Sequence, residues 1–194
     1  MYGNDIARNE VAEQLALTIR GEAQDLAQAG ISIIQVDEAA LREGLSLQDA
    51  DKPHRMTWAL NAFWLATAGV SDETENHTHQ CYFEFSDIID NIVKTDADVS
   101  SIETPCSQLS LFEEFEMRGY PNDIGPGVYD IHSPACPSQP LIRGLSEKLI
   151  QQLPVDALWV NPDCGLKTRT WERVTAALVN MVAAAKASRQ QLHT

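Results

Sequence analysis

Two histidines and a cysteine lie at alternate positions in the stretch ENHTHQCYFEF, namely His77, His79 and Cys81. The run around them has the pattern of a buried strand, and a strand directs every second side chain to the same face. We therefore expect the three side chains to converge on one point. Imidazole and thiolate together are typical ligands of zinc, so metal binding is the first chemistry that this stretch indicates.

The elements around this stretch follow a regular order. Apolar residues spaced three and four apart predict a helix over residues 9–29, and the β-branched run at 31–38 predicts a strand buried on both faces of a parallel sheet. That strand ends in Asp37 and Glu38, which places carboxylates at its C-terminal end. The residues on the apolar face of the helix are Val11, Leu15, Ile19 and Leu26.

The same order of a helix and then a strand recurs along the chain. The predicted strands are 77–83, 97–104 ending at Glu103, 125–133 ending in Asp130 and His132, and 157–165 ending in Asp163 and Cys164. The predicted helices are 57–68, 86–96, 108–119 and 139–153, with a last helix at 170–190. Such alternation predicts an α/β fold with parallel βαβ units. In these folds the active site is built at the C-terminal ends of the strands, where the polar residues of all five strands should meet.

Composition narrows the class of function. The 194 residues can bury one core, and the net charge of -14 argues against nucleic acid or an anionic membrane as a partner. No apolar run approaches the roughly 20 residues of a membrane span. The four cysteines are widely spaced, which favours metal ligation or burial in a reducing cytoplasm over disulfides. Cys106 and Cys136 are predicted to be loop cysteines without a role.

Four residues at three strand ends could form one zinc site. His79 and Cys81 lie two apart on one strand, Glu103 ends the next strand and Cys164 ends the last, which would give a tetrahedral N, S, O, S site. Each residue taken alone could instead be packed or solvated, and the joint placement is what indicates a metal. His77 could replace His79 as the ligand, although a supporting role fits it better.

Two further groups could act on a substrate. His132 follows Asp130 by two residues on the predicted strand, and a nearby carboxylate favours imidazolium, so His132 could be a general acid. A histidine that only bonds a neighbouring backbone carbonyl is an equal alternative. Asp37 and Glu38 could hold a substrate ammonium, or could simply be solvated at a strand end.

Two reactions would use such a site. In a zinc hydrolase the metal activates water, and an HxH pair on a barrel strand is also similar to the amidohydrolases. In the second reaction the metal binds a thiol substrate and removes its proton. The later strands supply Glu103 and Cys164 where an amidohydrolase needs further histidines and an aspartate. Because two thiolate ligands lower the Lewis acidity of the metal, the thiol reaction is favoured.

Five stretches resemble the C-terminal catalytic barrel of cobalamin-independent methionine synthase. They are IIQVDEAALREGL, HTHQCYFEF, DADVSSIET, YPNDIGPGVYDIHSP and LWVNPDCGLKTRTWERV, and the resemblance runs from about Asp5 to Arg189. It implies a partial (β/α)8 TIM barrel of about the last five β/α units. Residues 1–194 would then be the C-terminal part of the zinc-containing catalytic barrel.

The resemblance also implies an activity and a role for each site residue. The family transfers a methyl group from 5-methyltetrahydrofolate polyglutamate to the zinc-bound thiolate of homocysteine, which forms methionine. Asp37 would hold the amino group of homocysteine, Glu43 would contact the pterin, and His132 would donate a proton to the folate. The zinc ligands would be His79, Cys81, Glu103 and Cys164.

A barrel of five strands would leave two sheet edges without a partner strand and part of the hydrophobic core exposed to solvent. We therefore expect a C-terminal portion of the enzyme that is deficient in catalysis by itself, with a complementing chain or self-association through the exposed edges. A non-catalytic remnant that still binds zinc is the main alternative, and a TIM-barrel zinc hydrolase is a weaker one.

Overall fold

Helices and strands alternate over residues 8–80, as the apolar pattern predicts. The structure is a computed structural model, and it describes residues 6–37, 52–81, 92–103 and 120–192. The helices in these ranges are α1 (Arg8–Gln28), α2 (Lys52–Thr67), α3 (Gln139–Ile150) and α4 (Trp171–Leu192), and the strands are β1 (Ile33–Gln35), β2 (Glu75–Gln80), β3 (Val99–Ile102) and β4 (Asp123–Pro126).

The chain divides into two units by its internal contacts. Unit 1 is Met1–Gln80 with Asp87–Val99, and unit 2 is Cys81–Ser86 with Ser100–Thr194. Among the described residues, no helix combines the length and the apolar character needed to cross a membrane.

In unit 1, β1 pairs with β2 in parallel, with Ile33 opposite Glu75 and Gln35 opposite His77. The chain then returns beside β2, where the amide of Asp98 donates to the carbonyl of Asn76 at 2.9 Å. Helices α1 and α2 pack against each other. Because β1 and β2 run in the same direction, the C-terminal ends of both strands lie at one edge, as a helical crossover requires.

Burial in unit 1 differs from the prediction. The α1 side chains that are buried are Ala16 and Ala23, whereas the residues of the predicted core face, Val11, Leu15, Ile19 and Leu26, are exposed. In β1 only Ile34 is buried, and Ile33 is 45% exposed, so the strand is not covered on both faces. The small alanines let α1 approach its neighbour closely, while the large side chains of α1 face away.

In unit 2, β4 pairs with β3 through the Gly127 amide, which donates to the carbonyl of Ile102 at 3.0 Å. The segment predicted as the strand 157–165 forms two isolated parallel bridges to β4 and its extension, Ile124 with Leu158 and Gly127 with Asn161. Hydrogen bonds continue past Pro162, because the Val128 amide donates to the Asn161 carbonyl at 2.9 Å and the Asp163 amide donates to the Tyr129 carbonyl at 3.0 Å. The residues of the predicted helix 108–119 lie outside the described ranges.

Helices α3 and α4 pack together in unit 2. Helix α3 begins after Ser138, whose hydroxyl accepts the amide of Leu141 at 3.4 Å and caps the first turn. Ile142 and Ala177, one from each helix, are fully buried.

Candidate metal centre

The thiols of Cys81 and Cys164 lie 3.5 Å apart, although 83 residues separate them in the chain. This distance is far longer than the roughly 2.05 Å of a disulfide, so the two cysteines are not joined by one. Two sulfurs bound to one tetrahedral zinc at about 2.3 Å each would lie about 3.8 Å apart. The spacing of the two sulfurs is therefore close to the spacing that two ligands of one ion would have.

His79 belongs to the same group. One ring nitrogen of His79 and the two sulfurs lie within 4.8 Å of one another. His79 is buried in β2, and Cys81 follows two residues later at the end of that strand. The alternation of side chains along β2 accounts for this pairing, as the sequence predicts. Nitrogen and two soft sulfurs are a donor set that suits zinc and is poor for magnesium or calcium.

Glu103 lies beside His132. The Glu103 carboxylate is not a member of the three-residue group, and its Oε1 lies 3.9 Å from Nε2 of His132. The side chain of Glu103 is 13% exposed and that of His132 is 70% exposed. His132 thus presents its imidazole to solvent while Glu103 is largely sheltered beneath it.

The surroundings of His132 differ from the prediction in one respect. Strand β4 ends at Pro126, so Asp130 and His132 lie in the turn after the strand and do not share a strand face. The Asp130 carboxylate accepts the backbone amides of His132 and Ser133, at 2.7 and 3.2 Å. Asp130 therefore shapes the turn that presents the imidazole, in the manner of an Asx turn.

Two carboxyl groups near the site have shifted pKa values. Burial raises the pKa of Glu103, and the nearby Asp163 raises it further, while His132 opposes the shift. Burial also raises the pKa of Asp163, and a hydrogen bond from the Ile131 amide lowers it in part. Both carboxylates lose hydration in the fold, so a cation bound nearby would favour their charged forms.

The remaining site predictions fall in three places. Asp37 is exposed just beyond β1, and its Oδ1 accepts a hydrogen bond from the Gln35 side chain at 2.7 Å. His77 lies 3.0 Å from Glu75 through its Nε2, which fits a supporting role. Glu43 and Cys106 lie outside the described residues. Cys136 is exposed in the loop before α3, as predicted for a loop cysteine.

Sequence reasoning missed the contacts of Asp163. The sequence indicated Asp163 only as a polar residue at the end of a strand, yet its Oδ1 accepts the Ile131 amide at 3.0 Å. Arg169 also bonds the same segment, because its Nε donates to the Ile131 carbonyl. The available signal was a carboxylate placed directly before a predicted metal ligand in NPDCG.

Comparison with known proteins gives the family. The family model described as "Cobalamin-independent synthase, Catalytic domain" matches residues 1–187. The 5-methyltetrahydropteroyltriglutamate–homocysteine methyltransferase of Vibrio parahaemolyticus is 54% identical over 188 residues, which are 97% of this chain and 25% of the relative. The protein of the same name from Saccharophagus degradans is 54% identical over 189 residues, again 97% of this chain and 25% of the relative. This chain belongs to the cobalamin-independent synthase family.

Solved structures of B12-independent methionine synthases have the same fold as this family member. The Shewanella sp. W3-18-1 enzyme, in complex with selenomethionine, matches with a TM-score of 0.78 at 19% identity, over 97% of this chain and 57% of that chain. A putative enzyme from Listeria monocytogenes matches with a TM-score of 0.69 at 17% identity, over 92% of this chain and 55% of that chain. The predicted α/β fold is confirmed. The chain spans about a quarter of the length of its curated relatives.

Proposed function

We propose that this chain carries the metal centre for methyl transfer from 5-methyltetrahydrofolate polyglutamate to the sulfur of homocysteine, which forms methionine. The observation that supports this most strongly is the approach of the Cys81 and Cys164 thiols to 3.5 Å, with His79 in the same group. A site with two sulfurs suits the handling of a thiol substrate, and relatives with 54% identity carry the name of this methyltransferase.

The proposed metal is zinc, held by His79, Cys81 and Cys164 with Glu103 as the fourth ligand. Zinc, when bound, would lower the pKa of a thiol substrate so that its sulfur is nucleophilic at neutral pH. Two thiolate ligands require reduced cysteines, so we propose the reducing cytoplasm as the location. Glu103 is sheltered enough for its carboxylate to gain from a nearby cation.

The reaction needs a proton donor as well as a nucleophile. The bond from the methyl carbon to N5 of the folate breaks, the bond from that carbon to the homocysteine sulfur forms, and N5 gains a proton. We propose His132 as the donor, because its exposed imidazole can reach a substrate and Glu103 lies 3.9 Å behind it. Asp37 is proposed to bind the amino group of homocysteine, and Glu43 the pterin.

The exposed apolar surface of unit 1 favours a second candidate, a zinc-binding chain that needs another chain for turnover. Ile33 of β1 and five large apolar residues of α1 are exposed, and β1 is the last strand of the sheet that the described residues form. An edge strand with exposed apolar residues can pair with another strand. We propose that a complementing chain, or a second copy of this one, covers this surface.

One experiment separates the two candidates. The zinc-loaded protein is incubated with homocysteine and 5-methyltetrahydropteroyltriglutamate, and methionine is measured beside a Cys164→Ser variant and a Cys136→Ser control. Methionine from the wild type and from the control, but not from Cys164→Ser, supports the methyltransferase. Tight zinc without methionine supports the second candidate. Zinc binding that survives Cys164→Ser contradicts the proposed centre itself.

A further inference from the structure

Asp163 joins two segments of unit 2 with both its side chain and its backbone. Its Oδ1 accepts the Ile131 amide at 3.0 Å, and its own amide donates to the Tyr129 carbonyl at 3.0 Å. The residue is only 5% exposed, so little water competes for these bonds. One residue therefore fixes the backbone of the turn at two points.

Two neighbours support this connection. A Cβ atom on Gly127 would lie 2.3 Å from the Cα of Asp163, so a larger residue would force the two segments apart. Arg169 donates from Nε to the carbonyl of Ile131, the residue whose amide Asp163 accepts. The peptide groups on both sides of Ile131 are thus held, one by a carboxylate and one by a guanidinium.

The two joined segments each carry a residue of the proposed reaction. Asp163 directly precedes Cys164, and Ile131 directly precedes His132. Cys164 also packs against a small core that includes Tyr129 and Ile131. The bond between Asp163 and Ile131 therefore links the backbone next to the Cys164 sulfur with the backbone next to the His132 imidazole.

We propose that Asp163 is a positioning residue, which sets the distance between the metal-binding thiol of Cys164 and the imidazole of His132 through its hydrogen bond to Ile131. This inference rests on the proposed function, because the distance between Cys164 and His132 matters only if both residues act in the proposed reaction. Misplacement of reacting groups by about 1 Å can cost about a hundredfold in rate, so a buried bond at this point has a large effect.

The chain offers a matched control. Asp123 accepts Nε1 of Trp159 at 2.8 Å, and it thereby joins the same two segments at the other end of their contact. Asp123→Ala also removes a carboxylate hydrogen bond between these segments, but one made to an indole and not to the backbone amide that adjoins His132. A purely structural role for Asp163 would make the two alanine variants behave alike.

The test uses cobalt(II) as the probe, because its thiolate charge-transfer absorption reports how the cysteines bind. We expect Asp163→Ala to weaken cobalt binding by about tenfold and to alter this absorption, as substitutions behind a metal ligand do. The Ile131 amide should also exchange its hydrogen about tenfold faster. Asp163→Asn keeps an oxygen acceptor and should restore both properties to within about twofold, while Asp123→Ala should lower only the melting temperature.

Equal cobalt affinity and absorption in Asp163→Ala and Asp123→Ala would overturn the proposal, and so would a failure of Asp163→Asn to restore them. If Asp163→Ala does not fold, Asp163→Leu takes its place, because leucine is close to aspartate in shape and has no acceptor for the Ile131 amide, and unchanged cobalt binding in that variant would overturn the proposal equally. A wild-type protein that shows no thiolate absorption would contradict the proposed function. A wild type with that absorption and an insensitive Asp163→Ala contradicts only the positioning role.

Discussion

Replacing Cys81 by serine tests the metal centre directly. Serine keeps the size of the side chain and removes the soft sulfur, so the fold should persist while one ligand is lost. Zinc sites built from four protein ligands bind with about 10–16 kcal/mol, or roughly 2.5–4 kcal/mol for each ligand. Since about 1.4 kcal/mol is a factor of ten, zinc affinity should fall by about 60-fold to 700-fold.

Cys136→Ser is the matched control for this prediction. Cys136 is exposed, and its sulfur contacts the Asn180 side chain and the Pro137 carbonyl, at 3.7 and 3.9 Å. The same exchange of sulfur for oxygen there should leave zinc affinity within about twofold. Affinity is measured at pH 7 by competition with a chromophoric chelator, for wild type and both variants.

Thermal unfolding gives an independent measurement of the same site. A ligand at about one hundred times its Kd stabilises the folded state by about 2.7 kcal/mol. The wild type and Cys136→Ser should gain this stabilisation from zinc, and Cys81→Ser at the same zinc concentration should gain almost none. If Cys81→Ser bound zinc as tightly as Cys136→Ser, the 3.5 Å approach of Cys81 to Cys164 would reflect packing alone, and the metal centre would be refuted.

Three other outcomes follow from the site and the core. Burial raises the pKa of Glu103, so its contribution to stability is fully present below the usual carboxyl pKa of about 4.3 and is lost as pH rises through the raised value. Glu103→Gln in metal-free protein should therefore have a higher melting temperature than wild type at pH 7 and the same melting temperature at pH 3. Equal differences at both pH values would contradict this. His132→Asn should lower methyl transfer by about 10²–10⁴-fold with unchanged zinc content, and a loss of zinc instead would assign His132 to metal binding. Leu15→Ser, on the exposed side of α1, should change the free energy of unfolding in urea by less than about 0.5 kcal/mol, whereas Ile142→Ala in the core should cost about 2–5 kcal/mol; similar costs would contradict the observed burial.

The helices were the most predictable part of the fold. Apolar spacing predicted residues 9–29, 139–153 and 170–190, and α1, α3 and α4 lie within two or three residues of those bounds. Spacing shows which face of a helix is apolar, but it does not show what packs on that face. In α1 the close packing is made by Ala16 and Ala23, and the larger side chains that carried the pattern are exposed.

The ends of the strands were less predictable, because local turns decide them. The predicted strand 125–133 runs through the sequence DIHSP, where the Asp130 carboxylate turns the chain by accepting the amides of His132 and Ser133. An aspartate followed three residues later by serine and then proline is a turn pattern, so this end was accessible to sequence reasoning. The contact of Asp163 with Ile131 was not accessible, since it joins residues 32 positions apart.

The grouping of His79, Cys81 and Cys164 was predictable because it depends on topology more than on side-chain detail. In a parallel sheet, successive strands deliver their C-terminal ends to one edge, which brings Cys81 and Cys164 together across 83 residues. Alternation within β2 adds His79, and the loop position of Cys136 keeps it out of the group. Topology does not determine the exact distances between the Glu103 carboxylate and its neighbours. The Glu103 carboxylate lies 3.9 Å from the imidazole of His132 and outside the group of His79, Cys81 and Cys164, so supporting the proposed proton donor and completing the proposed zinc site are two different roles for it. In either role the sheltered carboxylate gains a partner. A bound cation would favour zinc ligation, because it stabilises the charged form of Glu103.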